Sequence, residues 1–440
     1  MALNTPKSKE IYERAQKIIP GAVMSNFRKD EDYRPTYISH GKGARLYDVD
    51  GNEYIDYLLS FGPAILGHSN EHLRKAIKDA ADQYLTNNST ELELKAAAKV
   101  AEHIPSAELV RFACSGTDAV YNTLRAARGY TGRNMVVRFN GHYNGGLDEI
   151  MGGIVTDTQN PIPVHGELEV DIYSQVTNTG GRGRHAFADF YMIEWNDLPA
   201  LEDLFSRHGA DIAAVLMEPV MVNMSGCWPE PGYLEGVREL CDTYGSVLIF
   251  DEVLTGFRMG ISGAQGHFGV TPDLTTFAKA IGGGFPVSSF CGKREIMDCL
   301  TRTDVVAGGT YNGHPISMAA VIATIEELEK DDGAAFKRIE KNGNALKKGM
   351  EELAARYRHP FLIQGFPGAW SFLFTPKEKV INHKDSLEQP GLLKALDFTS
   401  LIKKQGVLAF WRFCTSAAHT EKDIQDTLER VEVSFKQMKA

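Results

Sequence analysis

Between Ile212 and Phe250 two short apolar runs, Ile212 to Met217 and Ser246 to Phe250, bracket a stretch with helical periodicity from about Tyr233 to Tyr244. A strand with one wet face alternates apolar and polar residues. A nearly unbroken apolar run of strand length therefore means burial on both faces. The same rhythm starts near residue 90, with a candidate strand at Glu108 to Phe112, a helix from about Thr117 to Tyr130 and a strand at Met135 to Phe139. Strand, helix, strand in this order predicts an α/β fold, a mostly parallel central sheet with helices on both faces.

The flanks read differently. Residues 7 to 19 suit a helix ended by Pro20-Gly21, and Arg45 to Asp48 and Tyr54 to Leu58 form a hairpin about Asp50-Gly51-Asn52. Residues 71 to 86 suit an amphipathic helix. Beyond residue 330, a charged helix (about 334 to 357), a strand near 369 to 374, a helix from about 392 to 405 and a last helix from Glu421 indicate a smaller α+β part. The expected division is an N-terminal segment, 1–70, that adds to the small domain and the site entrance, a large domain, 71–325, and a C-terminal α+β domain, 326–440. The stretch from 151 to 190 has no readable period and is expected to be either a lid or a plain surface loop.

Composition excludes several partners. With 57 acidic against 47 basic residues the chain carries a net charge of −10, which disfavours a nucleic-acid backbone. No segment reaches the roughly 20 apolar residues of a membrane span, and the first residues carry scattered charges unlike a secretory signal. The six cysteines show no CxxC spacing, which points to a cytoplasmic protein with free thiols and no metal.

Four local features carry chemistry. Val247 to Phe250 delivers Asp251 and Glu252 to the carboxyl end of a presumed parallel strand, the edge where open α/β sheets bind ligands. These acids could hold a metal-bound nucleotide, but the chain has no GxxxxGK[ST] run to cradle phosphates; they could also merely cap the next element. Lys279 lies between apolar neighbours and before Gly282-Gly283-Gly284, and a desolvated amine is suited to a Schiff base. Ser115-Gly116-Thr117 stands where a strand yields to a helix, a natural anion site, although Ser and Thr are also ordinary caps. Tyr143, in Asn140 to Gly145, offers a ring that could stack on a planar group. Phosphate cradle, aromatic platform, acid and amine together are what pyridoxal 5′-phosphate needs.

At this point the chain resembles the fold-type I, class III pyridoxal-phosphate aminotransferases, and within them the glutamate-1-semialdehyde 2,1-aminomutases and their aminotransferase relatives. The matching runs are DVDGNEYIDY from Asp48, SGTDA from Ser115, ARGYTGR from Ala127, LIFDEVLTGFR from Leu248, GVTPDLTTFAKAIGGGFPV from Gly269 and GGTYNGHPISMAA from Gly308. The resemblance implies that Lys279 carries the cofactor and moves the proton, that Asp251 pairs with the pyridine nitrogen, and that Ser115, Gly116 and Thr117 hold the phosphate. It also implies that Tyr143 and Val253 sandwich the ring, that Asn223 in EPVMVN approaches the phenolic oxygen, and that Thr310 reaches the phosphate of the neighbouring subunit in a homodimer. Ser25 and Arg28 occupy the place of the family's substrate-carboxylate residues.

Three departures bear on the reaction. His142-Tyr143-Asn144-Gly145 lacks the histidine that commonly follows the tyrosine, Met24 to Asp30 replaces the usual NSPVRAF, and the segment through Phe410-Trp411-Arg412 lacks the relatives' acidic residue. An aminomutase must retain its diamino intermediate, so altered gate residues favour an aminotransferase that releases its product. The expected substrates are carboxylate-bearing amino acids, β- or D-amino acids included, with Arg28 and Arg412, or the Arg182 and Arg184 loop, as carboxylate receivers. Phe27, Phe61, Phe410 and Trp411 are expected to accept an apolar side chain. The aminomutase, an amino-acid racemase or epimerase, and a cofactor-binding protein without turnover stand as alternatives.

Overall fold

The computed structural model describes residues 3–29, 35–84, 86, 88–151, 186–301, 305–387 and 391–438. Near the N-terminus β1 (Ile38–Lys42), β2 (Arg45–Asp48) and β3 (Glu53–Asp56) follow one another. The large sheet comprises β4 (Leu109–Ala113), β5 (Met135–Phe139), β6 (Phe190–Ile193), β7 (Ile212–Met217), β8 (Val247–Asp251), β9 (Leu274–Phe277) and β10 (Ser288–Gly292). The C-terminal part adds β11 (Leu362–Phe366), β12 (Ala369–Leu373), β13 (Val407–Leu408) and β14 (Arg412–Cys414).

The large sheet has the order β4-β10-β9-β8-β7-β5-β6. Strands β9, β8, β7, β5 and β6 pair in parallel, and β10 runs antiparallel to both β9 and β4. Every residue of β7 and β8 is buried, which is why their sequences are continuously apolar. Strand β10 is the antiparallel member of the mostly parallel sheet. Its sequence, SSFCG, has no long apolar run, yet all five residues are buried.

Helices cover both faces. Glu71–Gln83, Glu91–His103 and the first half of Pro315–Arg356 close one core around Phe112, Phe257 and Phe277. The same face carries Leu198–His208 and Tyr233–Tyr244 over Phe139, Trp195 and Phe250, and the opposite face is covered by Gly116–Thr131 over Val136, Leu216 and Ile249. The long helix breaks at Lys330 to Gly333, where Asp331, Asp332 and Gly333 take left-handed φ of 51°, 53° and 69°. The helix beyond this break packs against Glu421–Gln437 and β11 and is the one expected at 334 to 357, distinct from the helix that starts at Pro315.

The two flanks share a sheet. The β2–β3 hairpin forms with Arg45 opposite Ile55, and its loop is pinned by Asp48 Oδ1, which accepts from the N–H groups of Asp50 and Asn52. Strand β13 then adds in parallel to β3, Val407 opposite Ile55 and Leu408 opposite Asp56. Arg45 donates to Asp423 and Asp426 on the last helix at 2.8 Å each and pairs with Glu53. Strands β11, β12 and β14 form a separate antiparallel sheet.

All six cysteines are free, and no helix among the described residues is long and apolar enough to cross a membrane. The stretch expected to be a lid or loop, with Arg182 and Arg184, lies outside the described residues except for Met151 and 186–190.

Candidate active site

Because β4, β5, β7, β8 and β9 all run the same way, their following loops meet at one sheet edge. Asp251 ends β8 and lies opposite Thr276 in the parallel ladder. Its Oδ2 accepts from Asn144 Nδ2 at 2.8 Å, and its Oδ1 accepts from the Val253 N–H at 3.1 Å and from Thr276 Oγ1 at 3.3 Å. Burial pushes its pKa up; those donors and the charge of Lys279 pull the other way. The side chain of Asn144 also takes bonds from Arg138. The sequence alone gave it no role.

Glu252 has a different fate. It accepts from the N–H groups of Ala264 and Gln265 and from Thr255 Oγ1, closing the start of the helix Gly263–Phe268. The paired acids divide accordingly: Asp251 faces the site, and Glu252 serves the capping role considered for both.

Lys279 follows β9 with φ of +49°, a left-handed conformation that costs a lysine of order 1–2 kcal/mol. Burial, and next the positive charge of Arg412, bring its amine down to about 8, while Asp251 and Glu218 act in the opposite sense. Across from it Leu59, Ser60 and Phe61 are also left-handed, with φ of 49°, 57° and 69°. A Cβ on Gly62 would lie 3.5 Å from Lys279 Cδ. This strained turn is held by Arg258, which is 2% exposed and donates to the carbonyl of Gly62, to that of Gly368 at 3.2 Å and to that of Thr415 at 3.5 Å. Arg258 therefore joins the loop after β8 to the N-terminal segment and to the C-terminal sheet. Arg258 ends the LIFDEVLTGFR run, which carries no local sign of this role.

The helix Gly116–Thr131 begins at the same edge. Ser115 and Asp118 form a capping box, Ser115 Oγ donating to Asp118 Oδ2 at 2.8 Å and accepting from the Asp118 N–H at 3.2 Å. That hydroxyl is occupied, whereas the N–H groups of Gly116 and Thr117, in the first turn, find no acceptor among the described residues. A Cβ on Gly116 would meet Val253 at 3.3 Å and Ala278 at 3.6 Å, which places the cradle beside both Val253 and the residue before Lys279.

A second hydrogen-bonded chain lines the other side. Glu218 Oε1 accepts from the Tyr143 N–H at 2.7 Å and from Asn223 Nδ2 at 2.9 Å; Asn223 Oδ1 accepts from Arg412 Nη1 at 2.9 Å. Burial and the nearby Asp251 push the Glu218 carboxyl up. Among the described residues its Oε2 has no partner, and neither does Nε2 of His142, whose Nδ1 accepts from the Glu218 N–H. Arg412 is 7% exposed and pairs with no acid among the described residues. The Tyr143 ring meets Phe27 edge-on at 6.1 Å, and Phe27, Phe61 and Phe410 continue as an aromatic row.

The structure thus gathers Lys279, Asp251, Tyr143, Asn223, Val253, Arg412 and the Ser115–Thr117 turn. Ser25 and Arg28 sit on the N-terminal segment, Ser25 half-buried and Arg28 exposed, and Thr310 is exposed on its loop. The residues fit the expected cofactor on the structure's own terms. A buried acid surrounded by neutral donors suits a cationic ring nitrogen, unfilled N–H groups at a helix start suit a phosphate, and a lysine near neutrality suits an aldehyde.

Residues 27–432 match the model of the class-III aminotransferases. The chain is 39% identical over 437 residues to a glutamate-1-semialdehyde 2,1-aminomutase of Acetivibrio thermocellus, covering 98% of this chain and 97% of that one. Among solved structures it is similar to an omega-transaminase from Sphaerobacter thermophilus, with a TM-score of 0.88, 28% identity and coverage of 98% and 97%. It is also similar to a transaminase with PLP bound, with a TM-score of 0.87, 26% identity and coverage of 99% and 98%.

Proposed function

Since the chain belongs to the class-III aminotransferases, a family of pyridoxal-phosphate enzymes, we propose that it moves an amino group between a carboxylate-bearing amino acid, β- or D-forms included, and an oxo acid. Two half reactions share one site, so donor and acceptor enter in turn. When bound, pyridoxal phosphate supplies an aldehyde that takes up amines and a ring that withdraws electrons from the substrate carbon.

The chain's residues do the rest. Lys279 Nζ would hold the cofactor and would accept and return the proton of the substrate Cα. An amine brought down to about 8 can both accept and return that proton near neutrality. Asp251 keeps a proton on the ring nitrogen, and Asn144 and Thr276 fix the carboxylate that does so. The N–H groups of Gly116 and Thr117 bind the phosphate with Ser115 at the cap; Tyr143 and Val253 confine the ring, and Asn223 takes the phenolic oxygen. The working unit in this reading is a cytoplasmic homodimer, with Thr310 reaching the phosphate in the neighbouring subunit.

One observation carries the choice of reaction. Arg412 brings a buried guanidinium, paired with no acid among the described residues, close enough to depress Lys279. A guanidinium there receives a substrate carboxylate by charge-assisted hydrogen bonds. The second reading, an aminomutase forming 5-aminolevulinate, rests on the 39% identity to a relative of that name. The test mixes the pyridoxamine-phosphate form with a panel of oxo acids and, separately, with glutamate semialdehyde, following cofactor absorbance and released product. Net release of an amino acid from an oxo acid is expected. Formation of 5-aminolevulinate alone, with no net transfer to any acceptor, would replace this reading by the second.

A further inference from the structure

Glu218 follows β7 directly and Asp251 ends β8. Each stands one residue beyond the paired Met217 and Phe250, so the two acids lie side by side at the edge that receives the cofactor. Their surroundings differ. Asp251 takes donors on both oxygens, whereas Glu218, 3% exposed, takes two on Oε1 and none on Oε2 among the described residues. Those two come from the loops on either side: the N–H of Tyr143 and Nδ2 of Asn223. The N–H of Glu218 itself donates to His142 Nδ1 at 3.0 Å, a further bond to the Tyr143 loop. The transfer chemistry above gives this buried carboxyl no task.

Asn223 is where the arrangement acts. A side-chain amide is nearly symmetric in shape, with a carbonyl at one end and two N–H groups at the other, and its neighbours decide which end faces which way. Glu218 Oε1 accepts, and Arg412 Nη1 can only donate. The amide nitrogen therefore turns to Glu218 and the oxygen to Arg412, at 2.9 Å each. Reversed, the amide would set oxygen against oxygen and N–H against N–H. With one N–H on Glu218, the second is left for a cofactor oxygen. We propose that Glu218 is a positioning residue, which fixes the Asn223 amide so that one N–H is offered to the phenolic oxygen while the carbonyl holds Arg412 ready for a substrate carboxylate. This rests on the cofactor and transfer reading above and deepens it, since one buried carboxyl then sets a contact to the cofactor and a contact to the substrate through the same amide.

A double-mutant cycle tests this. Glu218→Ala and Asn223→Ala are each expected to weaken cofactor binding about tenfold, measured by titrating pyridoxal phosphate back into the resolved enzyme, and to lower kcat/KM for carboxylate donors by about tenfold in the holoenzyme. Because Glu218 acts through Asn223, removing it from Asn223→Ala is expected to add less than about threefold, the part that its bond to the Tyr143 N–H can carry. Glu218→Gln keeps an acceptor for both donors and sets its NH₂ where Oε2 stands unpartnered among the described residues, so it is expected to stay within about threefold of wild type. The absorbance of the bound cofactor should shift alike in Glu218→Ala and Asn223→Ala and stay unchanged in Glu218→Gln. Glu218→Met, of similar volume and without the acceptor, takes the place of alanine if the cavity left by alanine prevents folding, as read by circular dichroism. A full tenfold loss on the Asn223→Ala background, or glutamine as damaging as alanine, overturns the positioning role and leaves the transfer reading standing. Cofactor affinity and absorbance need no turnover. If no donor discharges the cofactor, the transfer reading therefore falls while these two measurements still decide for or against Glu218; a chain that binds no pyridoxal phosphate overturns both.

Discussion

Asp251, Lys279 and the Gly116 turn hang from the ends of strands in one sheet, whereas Phe27, Phe61, Phe410 and Arg412 reach the same space from opposite ends of the sequence. On the first wall position is set by backbone register: Asp251 cannot shift against Thr276 without breaking the ladder between β8 and β9. The second wall is made of side-chain contacts between segments that meet only after folding, with ring centroids 6.1 to 6.5 Å apart from Tyr143 through Phe27 and Phe61 to Phe410. Register tolerates little variation, and side-chain packing tolerates much more. The cofactor wall is thus constrained as a unit, while the substrate wall can be rebuilt residue by residue. Arg258 is the tie between them, bonded to carbonyls of three segments of the second wall from a loop of the first.

The largest effect breaks the first wall at the residue that carries the chemistry. Lys279→Ala is expected to lower turnover by at least about 10⁴-fold with an unchanged circular-dichroism spectrum, and wild-type-like turnover would refute the mechanism. A smaller effect separates the walls. Arg412→Met is expected to cost roughly 10- to 100-fold in kcat/KM for carboxylate donors while the absorbance of the bound cofactor stays as in wild type; equal loss for donors with and without a carboxylate would show that Arg412 only supports the fold.

The smallest sharpens the coupling. In the cofactor-free chain, reductive methylation of Lys279 by formaldehyde and cyanoborohydride, read by mass spectrometry, reports the neutral amine. Because its pKa is brought down to about 8, labelling should fall about tenfold per pH unit below pH 8 and level off above it, where an exposed lysine would keep gaining to about pH 10.4. Since part of that shift comes from Arg412, the midpoint should rise in Arg412→Met. A midpoint that stays put would mean that the two walls are electrically independent.

The two walls also differ in how far the sequence discloses them. Strands β5 and β7 and the helix Tyr233–Tyr244 run between the residues their apolar patterns name, because burial on both faces or on one helical face leaves a direct mark. Asp251 was legible for a related reason, as an acid at the end of an apolar run, and Lys279 as a lysine between apolar neighbours ahead of three glycines. Strand β10 was not, since serines buried between two neighbours look like a loop. Nor was Asn144 as the partner of Asp251, or Arg258 as a tie, because each acts on residues distant in sequence and neither has a local pattern. Glu218 appeared only as the start of a spacing to Asn223, and its bonds to the Tyr143 N–H and to Asn223 emerge only when β5 and β7 lie side by side.

The parallel addition of β13 to β3 sets an order of events during synthesis. Val407 and Leu408 pair with Ile55 and Asp56, so the first hairpin leaves the ribosome long before the strand that completes its sheet. Pairings between such distant segments form late, because a long loop must close before they gain anything. The large sheet, whose strands all precede residue 293, can assemble around its edge while the rest of the chain is still being made. A nascent chain stalled before Val407 would therefore possess the edge that receives the cofactor and lack the surface that chooses what reacts there.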